Sequence, residues 1–294
     1  MSGGAPSGPS STLGTVSHWW SAEQLGAGAA LLVVSPHLDD AALSCEALIG
    51  RAEPLDVVTV LAGRPDEPGR YSWDEFCGFT DSDAAMDARI REDDAAFEGT
   101  PHRLHRLPLR DKQYLAGPRQ RHDAVALTTW VDEWLAAQDR PPVVVVPVGA
   151  GLRLGRLGRI VRRFAGDRLM QHLRRWRQRG NPRLTGATVS EDHVWVRDTL
   201  VDHLVGGPAT VLLYEEVPYL LARRGDGAAG EVATRTRAEL EHRDVAIDTD
   251  AKLRRLGCYV SQRHQLIGGA DFESGGMPAV ERYWRLAPGS RSLS

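Results

Sequence analysis

The sequence is poor in several features, and each shortage excludes something. Its 294 residues include three cysteines, Cys45, Cys77 and Cys258. The number is odd and no pair has CxxC spacing, so a disulfide framework is excluded and reduced thiols in a cytoplasmic protein are expected. No apolar run approaches the roughly 20 residues that span a bilayer, which argues against a membrane helix. Charge of one sign is not in large excess: the net value is -3, unlike a general nucleic-acid binder. The opening MSGGAPSGPSSTLG has neither the basic flank nor the apolar core of a secretory signal. No internal repeat is visible.

What is present is ordinary globular material. Hydrophobic residues make up 42% and charged residues 26%, enough for a substantial core. A Gly/Ser/Pro-rich tail over residues 1–18 is expected to be flexible, with a single domain over 19–294. Short continuous apolar runs at 29–34, 55–61, 142–147 and 210–214 read as buried strands, with a shorter one at 104–107. Helical spacing follows at 41–49, 83–97, 123–138, 190–204 and around 234–256, and a last strand is expected near 282–286. Residues 64–82 read as a polar loop long enough to suspect function. Strands alternating with helices predict an α/β fold, a mostly parallel sheet covered on both faces.

Residues 151–188 break this rhythm. They are crowded with arginine, from Arg153 to Arg183, with Leu157, Ile160, Val161, Phe164, Leu169, Leu173 and Trp176 at helical spacing between them. The segment reads as a basic amphipathic helical insertion. It is either a solvated face, a lid that meets an anionic or bulky substrate, or an oligomer interface. The oligomeric state is left open.

The first strand ends in LLVVSPHLDD, residues 31–40. In an open α/β sheet, ligands bind just beyond the carboxyl ends of the strands. One aspartate there could cap the next helix. A cap explains neither the second aspartate nor His37, whereas a metal explains all three. Imidazole and carboxylate together suit Zn²⁺, and His37 and Asp40 stand three apart across a turn. Asp39 is then free to take a proton from water. A third ligand is needed, and His193, in TVSEDHVWVRD at a later strand-to-helix connection, is the best candidate. His203 and His264 are the runners-up. Thr188 and Glu191 form a capping-box pattern that accounts for neither Asp192 nor His193. No glycine-rich phosphate loop follows the first strand, which argues against a nucleotide-binding domain.

SPHLDDAALS resembles the zinc signature of the LmbE/PIG-L de-N-acetylases, usually His-Pro-Asp-Asp, with Leu38 in place of the proline. Ser190-Glu191-Asp192-His193 resembles the second motif, His-x-Asp-His, with Ser190 in place of its first histidine. SWDEFCGF, ARIREDDAAF, LRDKQY, LLYEEVPY, KLRRLGCYVSQ and ERYWRL follow in the order of bacterial members. The resemblance covers about residues 29–286 without the insertion. It implies a Rossmann-like fold and metal-assisted hydrolysis of an N-acyl group. His37, Asp40 and His193 would hold Zn²⁺ and Asp39 would be the general base. Arg89 or Arg91, with Asp111, would surround a sugar ring. The first histidine of the second motif helps stabilise the oxyanion in that family. Ser190 is a weak substitute for it, and His264, Tyr214 and Tyr219 are further candidates. The expected activity is removal of an N-acetyl or other N-acyl group from an amino sugar or amino-sugar-containing metabolite, as in antibiotic-pathway or mycothiol deacetylases. The expected partner is a small N-acylated molecule, with no nucleic acid and no membrane. The alternatives are a mycothiol-conjugate-type amidase and a non-catalytic binding module with a decayed site.

Overall fold

A computed structural model of the chain describes residues 19–21, 24–151, 190–221, 224–263 and 277–288. The expected tail, the arginine-rich insertion, Thr188 and His264 lie outside them. Seven strands form one sheet in the order β3-β2-β1-β4-β5-β7-β6. The strands are β1 (Ala30–Ser35), β2 (Asp56–Thr59), β3 (Arg103–Arg106), β4 (Pro142–Pro147), β5 (Thr210–Tyr214), β6 (Ala238–Ala246) and β7 (Val280–Pro288). The first five are parallel; β7 runs antiparallel to β5 and to β6. This is the expected α/β architecture, a mostly parallel sheet with helices on both faces.

The helices are α1 (Asp40–Ser44), α2 (Glu46–Ile49), α3 (Ser72–Phe76), α4 (Ser82–Ala96), α5 (Arg121–Ala136), α6 (Glu191–Leu204), α7 (Asp226–Thr236) and α8 (Thr249–Leu256). The central strands are buried on both faces, which is why they read as unbroken apolar runs. Leu32, Val34, Val144 and Val146 join one cluster with Leu127 and Val131 of α5, Val196 and Leu200 of α6 and Val232 of α7. Leu31, Val33, Val143 and Val145 join the other with Leu43, Leu48, Ile49, Phe97, Leu256 and Tyr259. Each such side chain contributes about 1.5–3 kcal/mol on full burial. No helix among the described residues is long and apolar enough to cross a membrane.

Three expectations are corrected. The single helix at 41–49 is two, broken at Cys45, whose φ of -129° and ψ of 31° are not helical. The loop at 64–82 contains α3. The helical stretch expected at 234–256 is interrupted by β6, nine residues of ladder against β7. Its sequence, AELEHRDVA, is mostly exposed, so it carries no apolar signal of a strand. His242 therefore sits on a strand and not on a helix.

The chain builds outward from β1 to β2 and β3, then returns to start β4 on the other side of β1. That reversal opens a crevice at the carboxyl ends of β1 and β4, where open α/β sheets bind ligands. The turn after β1 is anchored by a distant residue. Glu281 of β7 accepts hydrogen bonds from Glu46 N at 2.8 Å and Ala47 N at 2.9 Å, satisfying the free N–H groups of α2. Lys252 Nζ and the Tyr283 hydroxyl donate to the same buried carboxylate, each at 2.8 Å.

Candidate metal centre and active site

The turn after β1 is shaped by Ser35. Its hydroxyl donates to His37 O at 2.7 Å and accepts from Ala41 N at 3.0 Å. Ser35 thus does the capping that the two aspartates were candidates for. Asp39 stands at the N-cap of α1 but makes no side-chain cap hydrogen bond. Asp40 turns its Oδ2 back to accept from His37 N at 2.8 Å and faces His37 Nδ1 at 3.1 Å.

His193 meets this group from α6. Ser190 caps that helix, its hydroxyl accepting from His193 N at 3.4 Å. His193 is buried, and its Nε2 lies 3.2 Å from Asp40 Oδ2 without forming a hydrogen bond to any group. His37, Asp40 and His193 therefore converge, one ligand atom of each lying within 4.8 Å of the others. A buried ring nitrogen with no hydrogen-bond partner, facing a carboxylate oxygen and a second imidazole, fits a divalent ion.

Glu216 holds the far side of His193, with Oε1 3.3 Å from Nδ1. Glu216 is itself fixed by Gly149 N at 2.7 Å and Ala150 N at 3.0 Å. Gly149 has a φ of 76°, and a Cβ there would meet Arg197 Nη1 at 2.7 Å, so this turn requires glycine. With the Nδ1 hydrogen directed at Glu216, Nε2 keeps its lone pair.

His37 presents its other nitrogen, Nε2, to Asp192 Oδ2 at 3.5 Å and Asp111 Oδ2 at 3.6 Å. Arg119 donates to Asp192 Oδ1 at 2.6 Å and lies over the Trp195 ring at 4.3 Å. Arg89 is buried, and its Nε has no hydrogen-bond partner. Its charge acts on Asp39, Asp111 and Asp74. Arg91 is exposed. Glu92 and Asp93 do not engage either one: Glu92 accepts from Ser261, and Asp93 from Arg106 and Tyr259.

The electrostatics of the site favour positive charge. Burial pulls the His193 imidazole down, yet Asp40 and Glu216 outweigh it and lift it to about 9. Burial likewise opposes charge on His37, but Asp192, Asp40 and Asp111 hold it well above its usual value. Burial and the neighbouring Asp40 raise Asp39 to about 7, against the pull of Arg89, His37 and His193. Protons gather on the imidazoles because the carboxylates of Asp40, Asp111, Asp192 and Glu216 demand positive charge.

Other candidates are placed elsewhere. His203 pairs with Asp132 at 2.7 Å on the exposed end of α6. Tyr214 is buried and donates to Val34 O at 3.1 Å, so it is not available as an oxyanion donor. Tyr219 packs its ring against His193, centroids 5.1 Å apart in a T-shaped arrangement. Trp73 donates to Gln262 at 3.1 Å and packs on Phe76 with ring centroids 5.6 Å apart. Asp192 and Arg119 are residues to which sequence reasoning gave no role. Glu215 and Glu216, at the end of a buried strand, read from sequence either as polar pocket groups or as exposed; both are buried, and Glu216 faces His193.

These elements define an α/β protein with a His/Asp/His centre at the sheet's carboxyl edge. The same fold is found in teicoplanin deacetylase Orf2, solved in a zinc-inhibited form. It is 19% identical, covers 89% of this chain and 99% of that chain, and superposes with a TM-score of 0.58. A triple mutant of that deacetylase is 20% identical, with 90% and 100% covered and a TM-score of 0.60. The A40926 pseudoaglycone deacetylase Dbv21 is 20% identical, with 87% and 96% covered and a TM-score of 0.54. At such identities the likeness is one of fold. No family model matches the chain, and no curated protein matches it significantly.

Proposed function

We propose that this chain is a zinc-dependent N-deacetylase that removes an acetyl or similar acyl group from an amino sugar or an amino-sugar-containing metabolite. The observation that carries the reading is the convergence of His37, Asp40 and His193 beside Asp39, a buried carboxylate with no hydrogen bond among the described residues. The motifs shared with the LmbE/PIG-L de-N-acetylases and the fold shared with two antibiotic-tailoring deacetylases support the same reading.

A divalent ion held there supplies a Lewis acid that polarises an amide carbonyl and acidifies water. Asp39, uncommitted to capping, accepts the proton of the attacking water and returns it to the leaving amine nitrogen. Glu216 keeps His193 in the tautomer whose Nε2 faces Asp40. Arg89 and Asp111 bind hydroxyl groups of the sugar. The oxyanion needs a further donor where the related motif has histidine. Ser190 is engaged as a helix cap and Tyr214 with Val34; Tyr219 lies with its ring against His193, and it is a candidate for the role on that placement alone. The free cysteines Cys45, Cys77 and Cys258 support a reducing, cytoplasmic setting.

The test is a deacetylation screen over N-acetyl amino sugars, glycopeptide aglycones bearing them and thiol conjugates, with and without a chelator. Acetate release that chelator abolishes and zinc restores is expected. Hydrolysis that survives full metal removal would sink the proposal.

A further inference from the structure

We propose a second divalent-cation position on the opposite edge of the His37 ring, formed by His37 Nε2, Asp111 Oδ2 and Asp192 Oδ2. It rests on the reading of His37, Asp40 and His193 as the first metal centre only in sharing His37. The three ligand atoms lie within 4.8 Å of one another, with His37 Nε2 3.5 Å from Asp192 Oδ2 and 3.6 Å from Asp111 Oδ2. These two separations are longer than the roughly 2.7–3.2 Å of a good N–H···O bond. They match the ~3.4 Å edge between ligands of a tetrahedral ion with bonds of ~2.1 Å.

Both carboxylates are pre-oriented. Asp111 Oδ1 accepts from Gln113 N at 2.9 Å, which aims Oδ2 at His37. Asp192 Oδ1 accepts from Arg119 at 2.6 Å and its Oδ2 from Lys112 N at 3.1 Å, leaving Oδ2 a further lone pair. Outer partners that fix the direction of a carboxylate are what metal ligands need. The side chains are 14% (His37), 15% (Asp111) and 8% (Asp192) exposed, open enough for an ion to enter and closed enough to limit screening.

A neutral imidazole has one lone pair. The tautomer that serves the first centre through Nδ1 points an N–H at Asp111 and Asp192, and the opposite tautomer serves the second position. The two positions therefore compete for His37. Excess divalent metal draws His37 from Asp40, occupies Asp111 and inhibits the enzyme.

The experiment is calorimetric titration of metal-stripped protein with Co²⁺ alone, checked by bound metal per chain and by circular dichroism for folding. His193→Ala breaks the first centre; if it does not fold, Asp40→Asn breaks the same centre. Either variant is expected to keep a weaker Co²⁺ site, and adding Asp111→Asn should weaken it at least about tenfold further. Asp111→Asn alone should keep the tight ion of the intact protein and lose the weaker Co²⁺ site. Folded His193→Ala and Asp40→Asn proteins that bind no Co²⁺, or bind it regardless of Asp111→Asn, would overturn the second position. Unchanged affinity in His193→Ala, lost with Asp111→Asn, would instead sink the first centre and leave the second standing.

Discussion

Glu216 Oε1 stands 3.3 Å from His193 Nδ1, while the same carboxylate is gripped by two backbone N–H groups from the turn after β4. One buried side chain thus joins the ends of β4 and β5 to the ligand on α6. Glu216→Gln is expected to leave the fold intact and weaken metal binding about 10–100-fold, the usual effect of losing an outer-shell carboxylate. Competition with a chromogenic chelator measures it. Unaltered affinity would reduce Glu216 to a brace for the Gly149 turn.

Asp39 is the proposed base, and among the described residues its carboxylate makes no hydrogen bond that substitution would break. Asp39→Asn should retain metal and melting temperature while the rate falls about 10²–10⁴-fold. Loss of metal with the rate per bound ion preserved would make Asp39 a ligand and not the base.

Tyr219→Phe keeps the ring against His193 and removes the hydroxyl. If that hydroxyl serves the oxyanion, kcat should fall about 10²–10³-fold with metal content unchanged. An unchanged kcat would return the role to a residue outside the described part of the chain.

Asp56 offers a test of stability against pH. Burial raises its carboxyl, but hydrogen bonds from Arg103, His105 and Trp134 outweigh that and hold it below its ordinary value. A depressed folded pKa means the stabilisation is present above the unfolded pKa of about 4 and disappears as pH falls through the folded value. Asp56→Asn should lower the melting temperature at pH 7 and flatten its decline below about pH 4. A variant curve parallel to the parent's down to acid would refute this.

Lys252 is fully buried against Glu281 at 2.8 Å. Lys252→Met leaves a carboxylate without its counter-charge and should cost roughly 3–5 kcal/mol in urea unfolding at an unchanged m-value. A loss under about 1 kcal/mol would show that Glu46 N, Ala47 N and Tyr283 suffice to hold Glu281.

The legible parts of this chain are those whose signal is local. The bounds of β4 and β5 match expectation because runs of fully buried β-branched and aliphatic residues end at polar turns. His37, Asp39 and Asp40 were legible because a strand does not end on such groups without use. The choice between Arg89 and Arg91 stayed open in the sequence, where the resemblance alone offered them; the buried face of α4 holds Ala85, Met86, Arg89, Asp93 and Ala96 at helical spacing. By contrast, β6 depends on its partner, since its own residues are mostly charged and exposed. Asp192 meets His37 only across the sheet edge, a contact that no window of sequence contains.

The clamp of Glu281 on the start of α2 has a consequence for biosynthesis. The peptide groups of Glu46 and Ala47 are satisfied by a side chain 235 and 234 positions later. Such long loops close late in folding. Until β7 has been made, the N–H groups that open α2, just beyond the turn bearing His37 and Asp40, lack this partner, so the finished form of this helix start is a property of the whole chain and not of its first third.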